Sequence, residues 1–250
     1  MALLEGRNLT IKFGGVLALD GVSFGVEAGQ IFGVIGPNGA GKTTLLNAIS
    51  SVYKLDGGSI SFAGEDVTNV PSYQLSQLGV ARTFQIVQPF NHMTVRENVT
   101  VGAMYGHARL RQRNEYLDAA DEALERVGLI AKAHFMPPHL TLSDRKRLEV
   151  ARALAMKPRL LLLDEVMAGL NLTEIERMID LVREINAAGM TVIVIEHVMK
   201  AVLALCHRAM VLNFGRKLTE GLPHDVVNEP AVIEAYLGTR FAKTRTGSAA

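Results

Sequence analysis

The chain predicts an α/β fold with a mostly parallel main sheet, a β-rich start and an inserted helical segment. Three observations carry this. The apolar run Ile31–Ile35 feeds a glycine turn that opens a helix-like stretch, Lys42–Ser51. Leu160–Leu163 is wholly apolar, and the helix-patterned Thr173–Ala188, ended by Gly189, separates it from the β-branched run Thr191–Ile195. Strands that alternate with helices and lack a polar face belong in a parallel sheet covered on both sides. From about Thr94 to Met156 the pattern is helical instead, so this stretch reads as an insertion into the α/β core.

In chain order, Asn8–Lys12 and Leu19–Val26 are short apolar-rich strands punctuated by Gly14-Gly15 and Gly29. Gly57-Gly58 precedes a strand at Ser59–Phe62, and Val80–Phe84 is another. In the insertion, Asn114–Val127 places Leu117, Ala120, Leu124 and Val127 at helical spacing. Pro137-Pro138 breaks the run, and a further helix spans about Ser143–Met156 before Pro158 stops it. Pro223–Leu237 carries short terminal helices, and Phe241–Ala250, small, basic and polar, reads as a disordered tail. No internal repeat is present, so residues 1–240 are expected to form one domain, with the insertion at about 86–156.

With 250 residues the chain can bury a sizeable core. A net charge of +1 gives no electrostatic case for nucleic acid or an anionic membrane as partner. The single Cys206 excludes an internal disulfide and a thiolate metal cage and favours a reducing compartment. No signal-peptide pattern or membrane-length apolar run is seen, so a cytoplasmic location is expected, with any membrane attachment through another chain.

The chemistry starts at Gly36-Pro37-Asn38-Gly39-Ala40-Gly41-Lys42-Thr43, which matches G-x-x-x-x-G-K-[ST] between a strand and a helix. Backbone N–H groups of such a turn, with the helix N-terminus, cradle phosphates. Lys42 adds charge for the β- and γ-phosphates, and Thr43 a hydroxyl for Mg²⁺. Downstream, the Leu160–Leu163 strand ends in Asp164-Glu165. An acid at that position holds Mg²⁺ through its water shell, and the next can orient or deprotonate a water. His197 follows the Thr191–Ile195 strand, where an imidazole can donate to a γ-phosphate oxygen. Gln85 sits where the chain leaves the Val80–Phe84 strand, and its amide can touch Mg²⁺ or the lytic water. Phe13 reads either as a purine-stacking ring or as a buried strand aromatic. The other six histidines read as ordinary surface or core residues.

The phosphate loop, Gln85, Asp164-Glu165 and His197, in this order around a helical insertion, resemble the nucleotide-binding subunit of ABC transporters. The resemblance spans Leu3 to about Gly238 and is nearest the branched-chain amino-acid importer class. It rests on Phe13-Gly14-Gly15, Arg82-Thr83-Phe84-Gln85, Met93–Val99, Ala168-Gly169-Leu170-Asn171 and the closing Val232–Gly238. It implies a P-loop NTPase core with an N-terminal antiparallel β subdomain, and an ATPase that powers import of a small polar solute. It also implies residue roles. Phe13 stacks adenine; Gly36, Pro37, Asn38, Gly39, Ala40, Gly41, Lys42, Thr43 and Thr44 wrap the phosphates; Thr43, Gln85 and Asp164 hold Mg²⁺. Glu165 is the catalytic base, Gln85 links ATP to the membrane partner, Ala168–Asn171 lie at a dimer seam and His197 is the switch histidine. Expected partners are a second ATP-binding subunit, membrane permease subunits on the inner face of the cell membrane and, indirectly, a solute-binding protein. A non-transport ATPase of the same superfamily, serving DNA repair or translation, is the rival. Such proteins usually carry two domains, a coiled coil or a zinc insert, none of which is seen here.

One segment departs from the family pattern. Where the family has Leu-Ser-Gly-Gly-Gln, this chain has Leu140-Thr141-Leu142-Ser143-Asp144. Without gaps, Thr141 takes the serine place, Leu142 and Ser143 the glycine places and Asp144 the glutamine place; an alternative register sets Leu142-Ser143 on Leu-Ser. Either way Thr141 or Ser143 offers the hydroxyl for ATP. The lost glycines hinder close backbone approach to a phosphate, and Asp144 brings negative charge unless it is turned away. The signature serves the partner's site, so a heterodimer with unequal sites, or a homodimer of low ATPase, is expected.

Overall fold

A computed structural model describes residues 2–85, 88–108, 110 and 112–237. Ile86, where the sequence reading starts the insertion, Gly238 and the tail Phe241–Ala250 lie outside the described residues. In chain order the elements are β1 (Ala2–Phe13), β2 (Val16–Glu27), β3 (Ile31–Ile35), α1 (Lys42–Ile49), β4 (Gly57–Phe62), β5 (Glu65–Asp66), α2 (Ser72–Leu78), β6 (Val80–Arg82), α3 (Val95–Met104), α4 (Arg113–Arg126), α5 (Leu142–Ala155), β7 (Leu160–Asp164), α6 (Leu172–Ala187), β8 (Thr191–Ile195), α7 (Met199–Leu205), β9 (Arg208–Asn213), β10 (Arg216–Gly221), α8 (Pro223–Val227) and α9 (Pro230–Leu237). The chain divides into two compact units, residues 1–69 with 195–250, and residues 70–194.

In the first unit an antiparallel sheet has the order β2-β1-β4-β5, which is the N-terminal antiparallel subdomain that the resemblance implies. β1 and β2 are longer than the runs legible in the sequence; in β1 the polar positions Glu5 and Arg7 alternate with buried Leu4 and Gly6 and mask the strand. β3 is buried along its whole length and pairs parallel with β9, Phe32 facing Arg208 and Ile35 facing Val211. β9 and β10 form an antiparallel hairpin that pattern reading did not single out. Its apolar stretch, Ala209–Leu212, is only four residues long, and its turn places Phe214 at φ 46°, a conformation that no residue preference announces.

In the second unit β6 pairs parallel with β7, and β8 lies on the other side of β7. All five residues of β7 and of β8 are buried, as an apolar run covered on both faces requires. α6 covers part of this core with Ile175, Met178, Ile179, Val182 and Ile185, the stripe that a 3.6-residue repeat produces. Its start is fixed by a reciprocal cap between Asn171 and Glu174. The strand expected at Val80–Phe84 stops at Arg82, although Thr83 N–H still donates to the Leu162 carbonyl at 2.9 Å. The double-proline break takes the form of a short 3-10 turn, Pro137–His139.

The helical insertion holds α3, α4 and α5, which pack on one another. α3 begins with a capping box, Thr94 with Glu97. One turn further in, Asn98 is fully buried. Its Oδ1 accepts the Phe90 N–H at 2.8 Å, and its Nδ2 donates to the carbonyls of Phe90, Met93 and Thr94. One amide thus ties the Phe90–Thr94 loop to the helix, so Phe90 and Met93 are held outward, exposed, with Arg152 stacked on the Phe90 ring at 5.0 Å. Removing that amide leaves buried backbone groups without partners. Asn98→Ala is therefore expected to lower stability by about 2–3 kcal/mol, read by urea denaturation, and to make the Phe90–Thr94 loop the first segment cut in limited proteolysis.

Candidate nucleotide site

The phosphate loop belongs to the first unit. β3 delivers the chain to Gly36, and α1 starts at Lys42 with Gly41 as its N-cap in the left-handed region, φ 104°. Two glycines are sterically required. A Cβ on Gly36 would meet the Leu212 carbonyl oxygen at 2.1 Å, and one on Gly41 the Ala18 oxygen at 2.7 Å. No side chain caps α1, so its first-turn amides keep the donor character that suits an anion. Lys42 is buried, and its Nζ donates to the carbonyls of Gly36 at 2.8 Å and Pro37 at 2.9 Å. An ammonium group resting on loop carbonyls sits where a phosphate cradle needs it, and the residues fit a polyphosphate. Phe13, at the end of β1, is 47% exposed and meets Tyr53 edge-on at 5.2 Å. Of its two readings, the buried strand aromatic is ruled out. His197 is exposed, just beyond the end of β8.

The acidic cluster belongs to the second unit. Asp164 ends β7 and is 1% exposed. Its Oδ2 accepts from Arg82 Nη2 at 2.8 Å, and its backbone N–H donates to Thr83 Oγ1 at 3.1 Å. Among the described residues nothing hydrogen-bonds its Oδ1. A buried carboxylate oxygen without a donor is costly, and the water shell of a cation satisfies it, so Asp164 fits Mg²⁺. Burial pushes the Asp164 carboxyl above the usual carboxylate range, against the opposing hydrogen bond and charge of Arg82.

Glu165 follows in the left-handed region, φ 50°, where a non-glycine residue is strained. Gln85 Nε2 donates to Glu165 Oε2 at 2.7 Å. Buried Lys146 on α5 donates to the carbonyls of Glu165 at 3.0 Å and Gln85 at 3.2 Å. The structure thus brings Gln85, Asp164 and Glu165 together, as the sequence reading expects. It adds Arg82 and Lys146, which sequence reasoning missed. Arg82 was legible only as part of a motif; its pairing partner is 82 residues away and is supplied by the parallel register of Arg82 on Leu162. Lys146 lies in a run of basic residues that reads as a solvated helix face.

Thr141, Ser143 and Asp144 lie at the start of α5, and of the two readings of Asp144 the structure shows the one in which it is turned away. Thr141 is the N-cap of α5, its Oγ1 accepting the Asp144 N–H at 3.1 Å, while Ser143 sits inside the first turn. The Asp144 carboxylate is turned inward, almost fully buried and paired with Lys132 and Arg147. Burial acts to raise its pKa, but hydrogen bonds from Lys132 and Thr141 and the charges of Lys132 and Arg147 prevail and hold it below the ordinary value. Leu142 instead takes the outward place, 42% exposed, with Cδ2 only 3.1 Å from where a Cβ on Gly169 would stand.

Residues 19–168 match the family described as ABC transporter, and residues 216–242 the one described as branched-chain amino acid ATP-binding cassette transporter. The chain belongs to the ABC transporter family, as an ATP-binding cassette, and its class of activity is ATP hydrolysis. It is 39% identical to the high-affinity branched-chain amino acid transport ATP-binding protein LivG of Escherichia coli, over 94% of this chain and 98% of that one. It is 36% identical to the probable LivG of Archaeoglobus fulgidus over 99% and 100%. Among solved structures it resembles an ABC transporter cassette in its ADP conformation, at 32% identity and a TM-score of 0.87, covering 95% of this chain and 99% of that one. A nucleotide-free cassette is equally similar, at 32% identity and a TM-score of 0.87, covering 95% and 100%.

The Asp144 cluster makes a prediction with a definite sign. A carboxylate whose folded pKa is depressed stabilises the fold above its unfolded pKa and loses that contribution as pH falls through the folded value. Asp144→Asn is expected to cost about 1–3 kcal/mol near neutral pH, with the gap to wild type closing below the ordinary carboxylate range, as measured by chemical denaturation across pH.

Proposed function

We propose that this chain is the ATP-hydrolysing subunit of an importer for branched-chain amino acids or related small polar solutes. It works peripherally on the inner face of the membrane, with permease subunits and a second cassette. No described helix is long and apolar enough to cross a membrane, so the permease partner provides the pathway. The observation that carries the reading is the glycine loop whose ammonium and uncapped helix end converge on one anion cradle.

In this mechanism Lys42 leaves the Gly36 and Pro37 carbonyls to meet the β- and γ-phosphates of ATP, the substrate. Backbone amides between Asn38 and Thr44 donate to the same oxygens, and Phe13 offers its exposed face to adenine. Asp164, Thr43 and Gln85 are the residues to hold Mg²⁺, which supplies neutralisation of developing phosphate charge. Glu165, oriented by Gln85 and anchored through its carbonyl by Lys146, accepts the proton of the attacking water. His197 donates to the γ-phosphate side. Exposed Phe90 and Met93 suit the receipt of a short permease helix.

The signature segment supports unequal sites. In the gapless register Leu142 presents a branched side chain at a place where the family has glycine, and Asp144 is committed to an internal ion-pair cluster. A homodimer is expected to hydrolyse ATP slowly, and rapid cooperative turnover by the purified chain alone would speak against that asymmetry.

Two substitutions test the assignment. Glu165→Gln should leave ATP binding intact and reduce turnover about a hundredfold or more, measured by phosphate release beside equilibrium binding. Lys42→Ala should weaken ATP binding itself, and retained affinity would contradict the loop assignment.

A further inference from the structure

The phosphate loop is anchored by a side chain that none of the roles above uses. Tyr236 lies on α9, 200 residues beyond Gly36, and its Oη accepts the Gly36 N–H at 2.7 Å. Gly36 is the residue at which β3 ends and the loop begins, at φ 149° with its Cα against the β9 backbone. Its carbonyl accepts from Lys42 Nζ at 2.8 Å. One residue therefore has its N–H held by the C-terminal helix and its C=O held by the lysine that must be released to meet a phosphate. A second restraint reaches the far side of the loop, where Gly215 at the β9–β10 turn donates its N–H to the Ala40 carbonyl at 3.0 Å.

We propose that Tyr236 is a positioning residue for nucleotide binding, holding the first peptide of the phosphate loop in its binding shape while Lys42 changes partners. This rests on the nucleotide reading above. With Lys42 on the Gly36 and Pro37 carbonyls, the loop is braced from inside. When Lys42 turns to phosphate, those two bonds are lost; the Ala40 N–H still donates to the Pro37 carbonyl at 3.2 Å, and the Gly36 end of the loop depends on an anchor from outside it. The Tyr236 phenol is a neutral acceptor that does not compete with phosphate for any donor of the cradle's interior. It also satisfies an N–H that a strand end would otherwise leave open. Burial pushes the phenol's pKa up, which keeps it protonated and neutral at physiological pH. The consequence is that the C-terminal helix, which contributes no residue to the phosphate cradle itself, tunes the affinity for nucleotide.

The test is Tyr236→Phe, which keeps the ring and its packing and removes only the acceptor. Loss of a single partly buried hydrogen bond predicts a Kd for ATP and for ADP weakened about five- to tenfold, by titration calorimetry, with kcat at saturating ATP within twofold of wild type. In the nucleotide-free chain, the Gly36 amide should exchange with solvent faster in Tyr236→Phe than in wild type. Val232→Ala serves as the control, because Val232 is a buried residue of the same helix and has no bond to the loop. It should lower the melting temperature while leaving both Kd values unchanged. Wild-type affinity in Tyr236→Phe, or an equal loss in Val232→Ala, overturns the inference while leaving the nucleotide reading intact. A wild-type chain that binds no adenine nucleotide overturns both.

Discussion

A strand buried on both faces has only its ends free for chemistry, and this constraint governs the molecule. β3 and β7 have no polar face, so whatever they position must come at the residue where each stops. β3 stops at Ile35 and passes into a glycine turn that leads to a helix start with no side-chain cap; β7 stops at Asp164, the first of two successive carboxylates. Desolvation follows from the same burial. It raises the Asp164 carboxyl, and it makes the Arg82 bridge a necessity rather than an ornament, because an unpaired charge at a strand end would cost several kcal/mol (about 3–5).

Around these strand ends the chain places long donors that reach carbonyl oxygens as well as carboxylates. Lys42 braces the phosphate loop and Lys146 braces the turn at Glu165, each through two backbone carbonyls. The parallel is physical. A loop that must keep an unusual backbone shape, with Gly41 at φ 104° in one case and Glu165 at φ 50° in the other, needs bonds that hold its carbonyls in place. The two lysines differ in fate. In the proposed mechanism Lys42 exchanges its carbonyls for phosphate, while Lys146 keeps Glu165, the proposed base, in register and joins it to the helix that carries the signature segment.

That helix also explains how a departure from the family pattern is tolerated. An aspartate beside a polyanion would repel it, but Asp144 serves as the carboxylate of an internal cluster with Lys132 and Arg147 and as the residue whose N–H completes the Thr141 cap. The altered segment therefore keeps a well-formed helix start. What changes is the surface it presents, where Leu142 stands out beside Gly169.

Local pattern alone determined a good deal of this protein. The octet Gly36–Thr43, the three five-residue buried strands, the α6 stripe and the Asp164-Glu165 strand end are all legible because each depends on neighbours a few residues away, within the reach of periodicity and turn chemistry. The tertiary structure alone decided the rest. It paired Arg82 with Asp164, brought Lys146 onto Glu165, turned Asp144 inward and set Tyr236 on Gly36. Most of these contacts join residues tens to hundreds of positions apart, and Asp144 needs Lys132 from beyond its own helix. A hydrogen bond depends on where two backbones pass in space, and no composition or spacing along the chain encodes that.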